Sequence, residues 1–141
     1  MRGRLWRNQR GSTAVQFALM APVLLTMLFG IVELGRMAWI RSSLQYATEQ
    51  AGRYAMVKKS ATSEQIADYL KAHAPYNPDR IEVMVTTTPD TVTTTAGGAT
   101  TTKAITYINI VAQTRFETPA AFLDMFDNVL LQGRVRVLQP E

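Results

Sequence analysis

Residues 11–32 read GSTAVQFALMAPVLLTMLFGIV, and this stretch decides how the rest of the chain is understood. It holds no charged residue, and from Ala14 onward only Gln16 and Thr26 are distinctly polar. As a helix rising about 1.5 Å per residue it extends roughly 30 Å, the depth of a bilayer's hydrocarbon core. A helix on the surface of a soluble domain carries a polar stripe with a 3.6-residue period. Here Leu19, Met20, Val23, Leu24, Leu25, Met27, Leu28 and Phe29 point all round the axis. The alternative is a helix buried on every side, and the remaining chain is too small to wrap one completely. The stretch reads as a membrane segment.

Its flanks set an orientation. MRGRLWRNQR carries Arg2, Arg4, Arg7 and Arg10 and no acid, whereas Glu33, Arg36, Arg41 and Glu49 cancel on the other side. The excess of arginine predicts a cytoplasmic N-terminus and an extracytoplasmic remainder. The same charges account for the basic balance of the whole chain. Of 15 Lys and Arg, four lie before Ser12, and the 11 that remain equal the 11 Asp and Glu. A neutral body offers no electrostatic footprint for a nucleic-acid backbone. No nucleic-acid partner is expected.

Catalytic and metal chemistry find little to stand on. There is no cysteine, hence no disulfide framework or thiolate metal site. The single His73 cannot form a metal cluster by itself and is expected to be a solvated residue at a helix end. No glycine-rich phosphate loop, H-E-x-x-H motif or nucleophile elbow occurs. The scattered acids read as surface residues. The expectation is a non-enzymatic protein without metal or cofactor.

A basic segment followed by an apolar run also describes a secretory signal peptide. Two features argue against one. The run is longer than a usual signal core, and no small-x-small cleavage site follows it, since the sequence continues Glu33-Leu-Gly-Arg36. The small residues stand on the other side, at Arg10-Gly11-Ser12. Arginines, then a glycine, then a small-residue start to a long apolar helix resemble the leader cut by prepilin peptidases. The resemblance implies cleavage on the cytoplasmic side, between Gly11 and Ser12, with the apolar helix kept on the mature chain.

The wording beyond that glycine is more specific. Gly11-Ser-Thr-Ala-Val-Gln16-Phe17-Ala-Leu-Met-Ala-Pro22, then Phe29-Gly30-Ile31-Val-Glu33-Leu-Gly35-Arg36, resembles the N-terminal signature of the TadE/TadG-like family. Ala51-Gly-Arg53-Tyr-Ala55 is similar to the end of that family's helix. The family comprises minor pseudopilins of the tight-adherence (Flp, type IVb-like) pilus system, used for adhesion or secretion. The resemblance covers roughly residues 10–56. It implies Gly11 and Ser12 as the processing site, with Gln16, Phe17, Pro22, Glu33 and Arg36 on an assembly helix. The implied partners are a prepilin peptidase, other pilins and pseudopilins, and inner-membrane Tad assembly proteins. The implied location is the bacterial inner membrane, single-pass, with the head periplasmic or extracellular and possible passage into a pilus. One departure stands out. The family usually has glutamate before the aromatic residue, and this chain has Gln16 before Phe17.

Beyond the membrane the helix is expected to continue. Leu34, Met37, Ala38, Leu44, Ala47, Ala51, Tyr54 and Ala55 recur at helical spacing, with Arg41, Glu49 and Arg53 between them. Pro22 and Gly30 are tolerable within lipid. One long helix over residues 12–56 follows, apolar over 12–33 and amphipathic over 34–56, its stripe serving as the face on which a head domain packs. Glu33 and Arg36 form an i,i+3 pair, read as solvated. Trp39 reads as an interfacial anchor.

The head, residues 57–141, is read as α+β. Thr62 and Gln65 fit a capping box for a helix over 63–74, with Ile66, Ala67, Leu70 and Ala74 on one face and Pro75 and Pro78 ending it. Residues 81–87 alternate as a half-buried strand, and AITYINIVA at 104–112 suits a central one. Between them, 86–103 is threonine-rich; Gly97-Gly98 suits a two-residue hairpin turn pairing Ala96 with Ala99 and Thr95 with Thr100. Pro89-Asp90 is expected to break or bulge the first strand. A mobile loop is the other reading of this segment. Thr118-Pro119 reads as the start of a short buried helix holding Phe122, Leu123, Met125 and Phe126. A last strand over 129–138 turns Val135 and Val137 inward and Arg134 and Arg136 outward. The fold expected is a long helix packed on a small, largely antiparallel sheet of three or four strands, a pilin-like arrangement.

Three functions stay open on the sequence: a minor pseudopilin built into a Tad-type pilus, a membrane-resident accessory protein of the pilus or secretion machinery, and a conventionally secreted protein.

Overall fold

The computed structural model describes residues 10–58, 60–74, 77–118 and 128–139. In order along the chain come helix α1 (Arg10–Val57), helix α2 (Ser63–His73), a single 3-10 turn (Pro78–Arg80), and strands β1 (Glu82–Ala96), β2 (Ala99–Phe116) and β3 (Val129–Leu138). They divide into two units, residues 1–36 and 37–141, with α1 contributing to both. The class is α+β, with one three-stranded antiparallel sheet.

In the first unit α1 is a bare apolar helix. Phe17, Leu19, Met20, Val23, Leu24 and Met27 are all exposed, on every side of the axis. Among the described residues it is the one helix long and apolar enough to cross a membrane. The helix passes Pro22 unbroken, and Thr26 Oγ donates to the Pro22 carbonyl at 2.8 Å.

In the second unit the remainder of α1 lies on one face of the sheet. Its buried positions are Ile40, Leu44, Ala47, Thr48, Ala51 and Ala55, a four-three stagger that keeps one line of the helix inward. The stripe read from sequence is corrected in part here. Leu34 and Ala38 are exposed, and Ile40 supplies the inward residue. Small residues bring the backbones close. A Cβ on Gly52 would lie 3.1 Å from the methyls of Val135 and Val137, and one on Gly133 would lie 2.7 Å from Thr48 Oγ and 3.0 Å from the Leu44 carbonyl.

The main core gathers Leu44, Ala47, Ala51, Ala55, Ile66, Leu70, Ile81, Ile108, Ile110 and Val137. A second cluster of Ile40, Phe116 and Leu131 closes the other end of this face. Fully burying a side chain of the size of Phe116 or Ile110 contributes about 1.5–3 kcal/mol. α2 starts as expected: Thr62 accepts from the Gln65 N–H while the Gln65 side chain accepts from the Thr62 N–H. It buries Ile66 and Leu70 and ends at His73, with Ala74 as its C-cap.

β2 is the central strand, as its apolar run suggests, and both outer strands are sheet edges. Val137 is buried and Val135 half-buried on the helix side of β3, while Arg134 and Arg136 are exposed. The threonine-rich segment is the hairpin. Gly97 and Gly98 turn it with φ of 60° and 83°, and Ala96 faces Ala99 as Thr95 faces Thr100. These positive φ values suit the tight turn that matches strand twist.

The expected break at Pro89 does not occur. Pro89 pairs with Thr106 in unbroken register. The reason lies in which way the backbone points. The Thr106 carbonyl accepts from the Gln139 N–H at 2.8 Å, so Thr106 turns its polar groups toward β3. Its partner Pro89 therefore points outward from the edge of the sheet, where a missing N–H leaves no ladder bond unmade. The expected helix around Phe122, Leu123, Met125 and Phe126 lies outside the described residues.

Candidate assembly helix and processing site

The residues singled out for processing sit at the start of α1. Arg10, Gly11, Ser12 and Thr13 form its first turn, whose N–H groups have no acceptor within the helix. Ser12 is exposed. Gln16 and Phe17 follow, both exposed, with Phe17 at 70 %. Pro22 is exposed as well. No described side chain within this unit caps Gln16 or covers Phe17, so both are presented outward with the surrounding apolar surface. Such a surface suits contact with lipid or with other apolar helices.

Glu33 and Arg36 are brought together. Arg36 Nε stands 3.0 Å from Glu33 Oε2, an ion pair one helical turn long. The solvated pair expected from sequence needs correcting, because Glu33 is buried at 8 % while Arg36 is half-buried. A carboxylate removed from water at an apolar helix needs such a partner, and Arg36, one turn further on, supplies it.

Trp39, at the start of the second unit, is 54 % exposed. His73 is exposed at the end of α2, as expected of a helix-end residue, yet it is not merely solvated. Its ring stacks on Tyr69 at 4.1 Å, Tyr69 stacks on Tyr54 at 4.4 Å, and Nδ1 lies 2.8 Å from the Tyr69 carbonyl. Among the described residues no three His, Cys, Asp or Glu side chains gather in a way that would hold a metal ion.

At the far end of the sheet Arg80, Glu82, Gln113, Arg115 and Glu117 line an open groove. Arg80 pairs with Glu117, and the hydrogen bond from that guanidinium holds the Glu117 carboxyl below the usual carboxylate range. This pairing, between residues far apart in the chain, joins the 3-10 turn to the residue that follows β2 and has no local signature.

Sequence reasoning also passed over Gln45. Its side-chain amide donates to the Arg134 carbonyl at 3.2 Å and accepts from the Arg134 N–H at 3.1 Å. A glutamine beside the buried line of α1 by itself names no partner.

A family model described as TadE-like protein matches residues 11–53. That interval starts at the glycine after the arginine-rich segment and ends within α1, one residue past Gly52. No curated protein and no solved structure matches the chain.

Proposed function

We propose that this chain is a TadE-like minor pseudopilin: a non-enzymatic, single-pass membrane protein that is cut by a prepilin peptidase and takes part in assembling a Tad/Flp pilus for adhesion or secretion. The observation that carries the reading is the family-model match along α1, with Gly11 as its first residue. The arginines before Gly11 and the exposed apolar surface of residues 12–32 support it. In this reading the positive leader stays in the cytoplasm, the apolar part of α1 is the anchor, and residues 37–141 lie across the membrane. Other pilins, pseudopilins and inner-membrane Tad proteins are the partners. Gln16 marks how this subunit differs from relatives that carry glutamate there. It is cheaper to hold at lipid depth than a carboxylate and offers a neighbouring amine a hydrogen bond in place of an ion pair.

Intact-mass measurement of the chain from the membrane fraction tests the processing. The expected mature chain begins at Ser12 and retains its anchor, and Gly11→Leu leaves the precursor uncut. A chain retaining Met1 or Arg2, or one cut after Gly35, overturns the proposal. Presence in sheared filaments then separates a filament subunit from one that stays in the membrane.

A further inference from the structure

The two edges of the sheet are treated differently, and the hairpin end of β1 carries a run of outward backbone groups. Along β3 the residues of even number point their backbone groups outward, since Gln139 and its odd-numbered neighbours face β2. At the middle of that edge both outward groups of Arg134 are taken by Gln45. Exposed Arg134 and Arg136 add charge to it. Such devices keep an edge from pairing with another strand.

On β1 the odd-numbered residues point outward, by the same register that turns Pro89 to the edge. Pro89 blocks the middle. Past it, Thr91, Thr93 and Thr95 present N–H and C=O groups to the outside, and residues 91–102 contain no charge, no proline and no bulge. The segment is stiffened from within. Thr93 and Thr95 share hydroxyl hydrogen bonds at 3.4 Å with Thr102 and Thr100, their opposite numbers on β2. Arg136 lies over the Tyr107 ring, 3.8 Å from its centroid, and pairs with Asp90, its Nη2 3.8 Å from Asp90 Oδ2. One outward group is already engaged, since Asp90 Oδ1 accepts from the Thr91 N–H at 2.8 Å. The outward groups of Thr93 and Thr95 find no partner among the described residues.

We infer that this distal edge of β1 is a self-pairing site, at which a second copy of the chain adds its own residues 90–96 antiparallel about a twofold axis at Thr93. The occupant follows from the positions of the free groups. With Thr93 opposite Thr93, Thr91 meets Thr95 of the second copy, and all three outward residues form the hydrogen-bonded kind of antiparallel pair. Each Pro89 then falls opposite Gly97, beyond the end of the other strand, where no bond is required. Asp90 meets Ala96, so no like charges oppose each other. Centring the axis on Thr91 instead sets Thr93 against Pro89 and loses a bond. Only the Thr91 N–H must choose between Asp90 and the second copy. Pairing at this edge requires neither cleavage at Gly11 nor incorporation in a filament.

The chain has no cysteine, so single-cysteine variants of the full chain in native membranes report the contact cleanly. Thr93→Cys places the two Cα atoms about 5.5 Å apart, inside disulfide range. Thr95→Cys leaves its two copies roughly 13 Å apart along the strand, outside that range. Mild oxidation is expected to convert most of Thr93→Cys to a disulfide dimer and to yield at least about tenfold less dimer from Thr95→Cys. Co-expressed Thr91→Cys and Thr95→Cys chains are expected to cross-link to each other. Thr93→Pro removes an outward N–H, as Pro89 already does, and leaves the hairpin's own ladder intact. The detergent-solubilised full chain is expected to sediment as a dimer, and Thr93→Pro as a monomer. A Thr93→Cys chain that stays monomeric or links only to a different protein, or a Thr93→Pro dimer as stable as the parent, overturns the inference.

Discussion

Gln45 and Arg134, 89 residues apart in the chain, form a closed pair in which one side-chain amide occupies both outward backbone groups of an edge strand. The amide does for β3 what a neighbouring strand would do, at a single position and without offering a further edge. Gln45 also donates to Glu49 at 3.0 Å, which holds its rotamer along the helix. A helix that lies on a sheet thereby also guards the sheet's margin.

Replacing Gln45 with alanine is expected to cost about 1 kcal/mol, since the freed groups of Arg134 regain water. The sharper test is hydrogen exchange. The Arg134 amide should lose its protection in Gln45→Ala, while the outward amides of Gln132 and Arg136 change little. Unchanged exchange at Arg134 would show that the pair does not persist in solution.

Gly133 and Gly52 should respond unequally to a methyl group. Gly133→Ala drives a Cβ toward Thr48 Oγ and the Leu44 backbone, and the helix must shift to admit it. A loss of about 1–3 kcal/mol is expected. At Gly52 the obstacles are valine methyls, and alanine's helix propensity returns about 1 kcal/mol, so Gly52→Ala should lie near neutral. Denaturant unfolding of the two variants, compared with the parent chain, measures both.

The Arg80–Glu117 pair carries a pH signature. The Glu117 carboxyl is depressed, chiefly by its hydrogen bond from Arg80, with burial opposing and the charge of Arg80 adding to the effect. A depressed carboxyl contributes stability above its unfolded pKa and loses it as pH falls through the folded value. The contribution is small because the pair is solvent-exposed. Arg80→Ala should move the Glu117 titration, followed by carboxyl NMR, back up toward the ordinary range. An unmoved titration would rule out Arg80 as the cause.

Orientation can be read with reporters at Glu141. In the proposed topology, the arginines before Ser12 and the balanced charge after Val32 predict that this end lies outside the cytoplasm. Alkaline phosphatase fused there should be active, and a reporter that works only in the cytoplasm should be silent. The reverse pattern would sink the proposed topology.

Local rules carried the sequence a long way. The charge-free run of residues 11–32, the Thr62–Gln65 box, the apolar core of β2, the Gly97-Gly98 turn and the Val135/Val137 alternation each depend on neighbours within a few positions, and each is found as read. Gln16 and Phe17, proposed here for assembly, stand out in the same local way, as a motif along one helix. What depended on distant neighbours was not. Pro89 is harmless only because β1 is an edge and the register turns its nitrogen outward. Ile40 replaces Leu34 and Ala38 on the buried line because Phe116 and Leu131 lie there to receive it. Gln45 is one polar residue among several on α1 until the fold sets Arg134 beside it. Periodicity and turn chemistry are written in adjacent residues. Which edge is open, which is closed, and what a given side chain meets are settled only when strands far apart in sequence take their places.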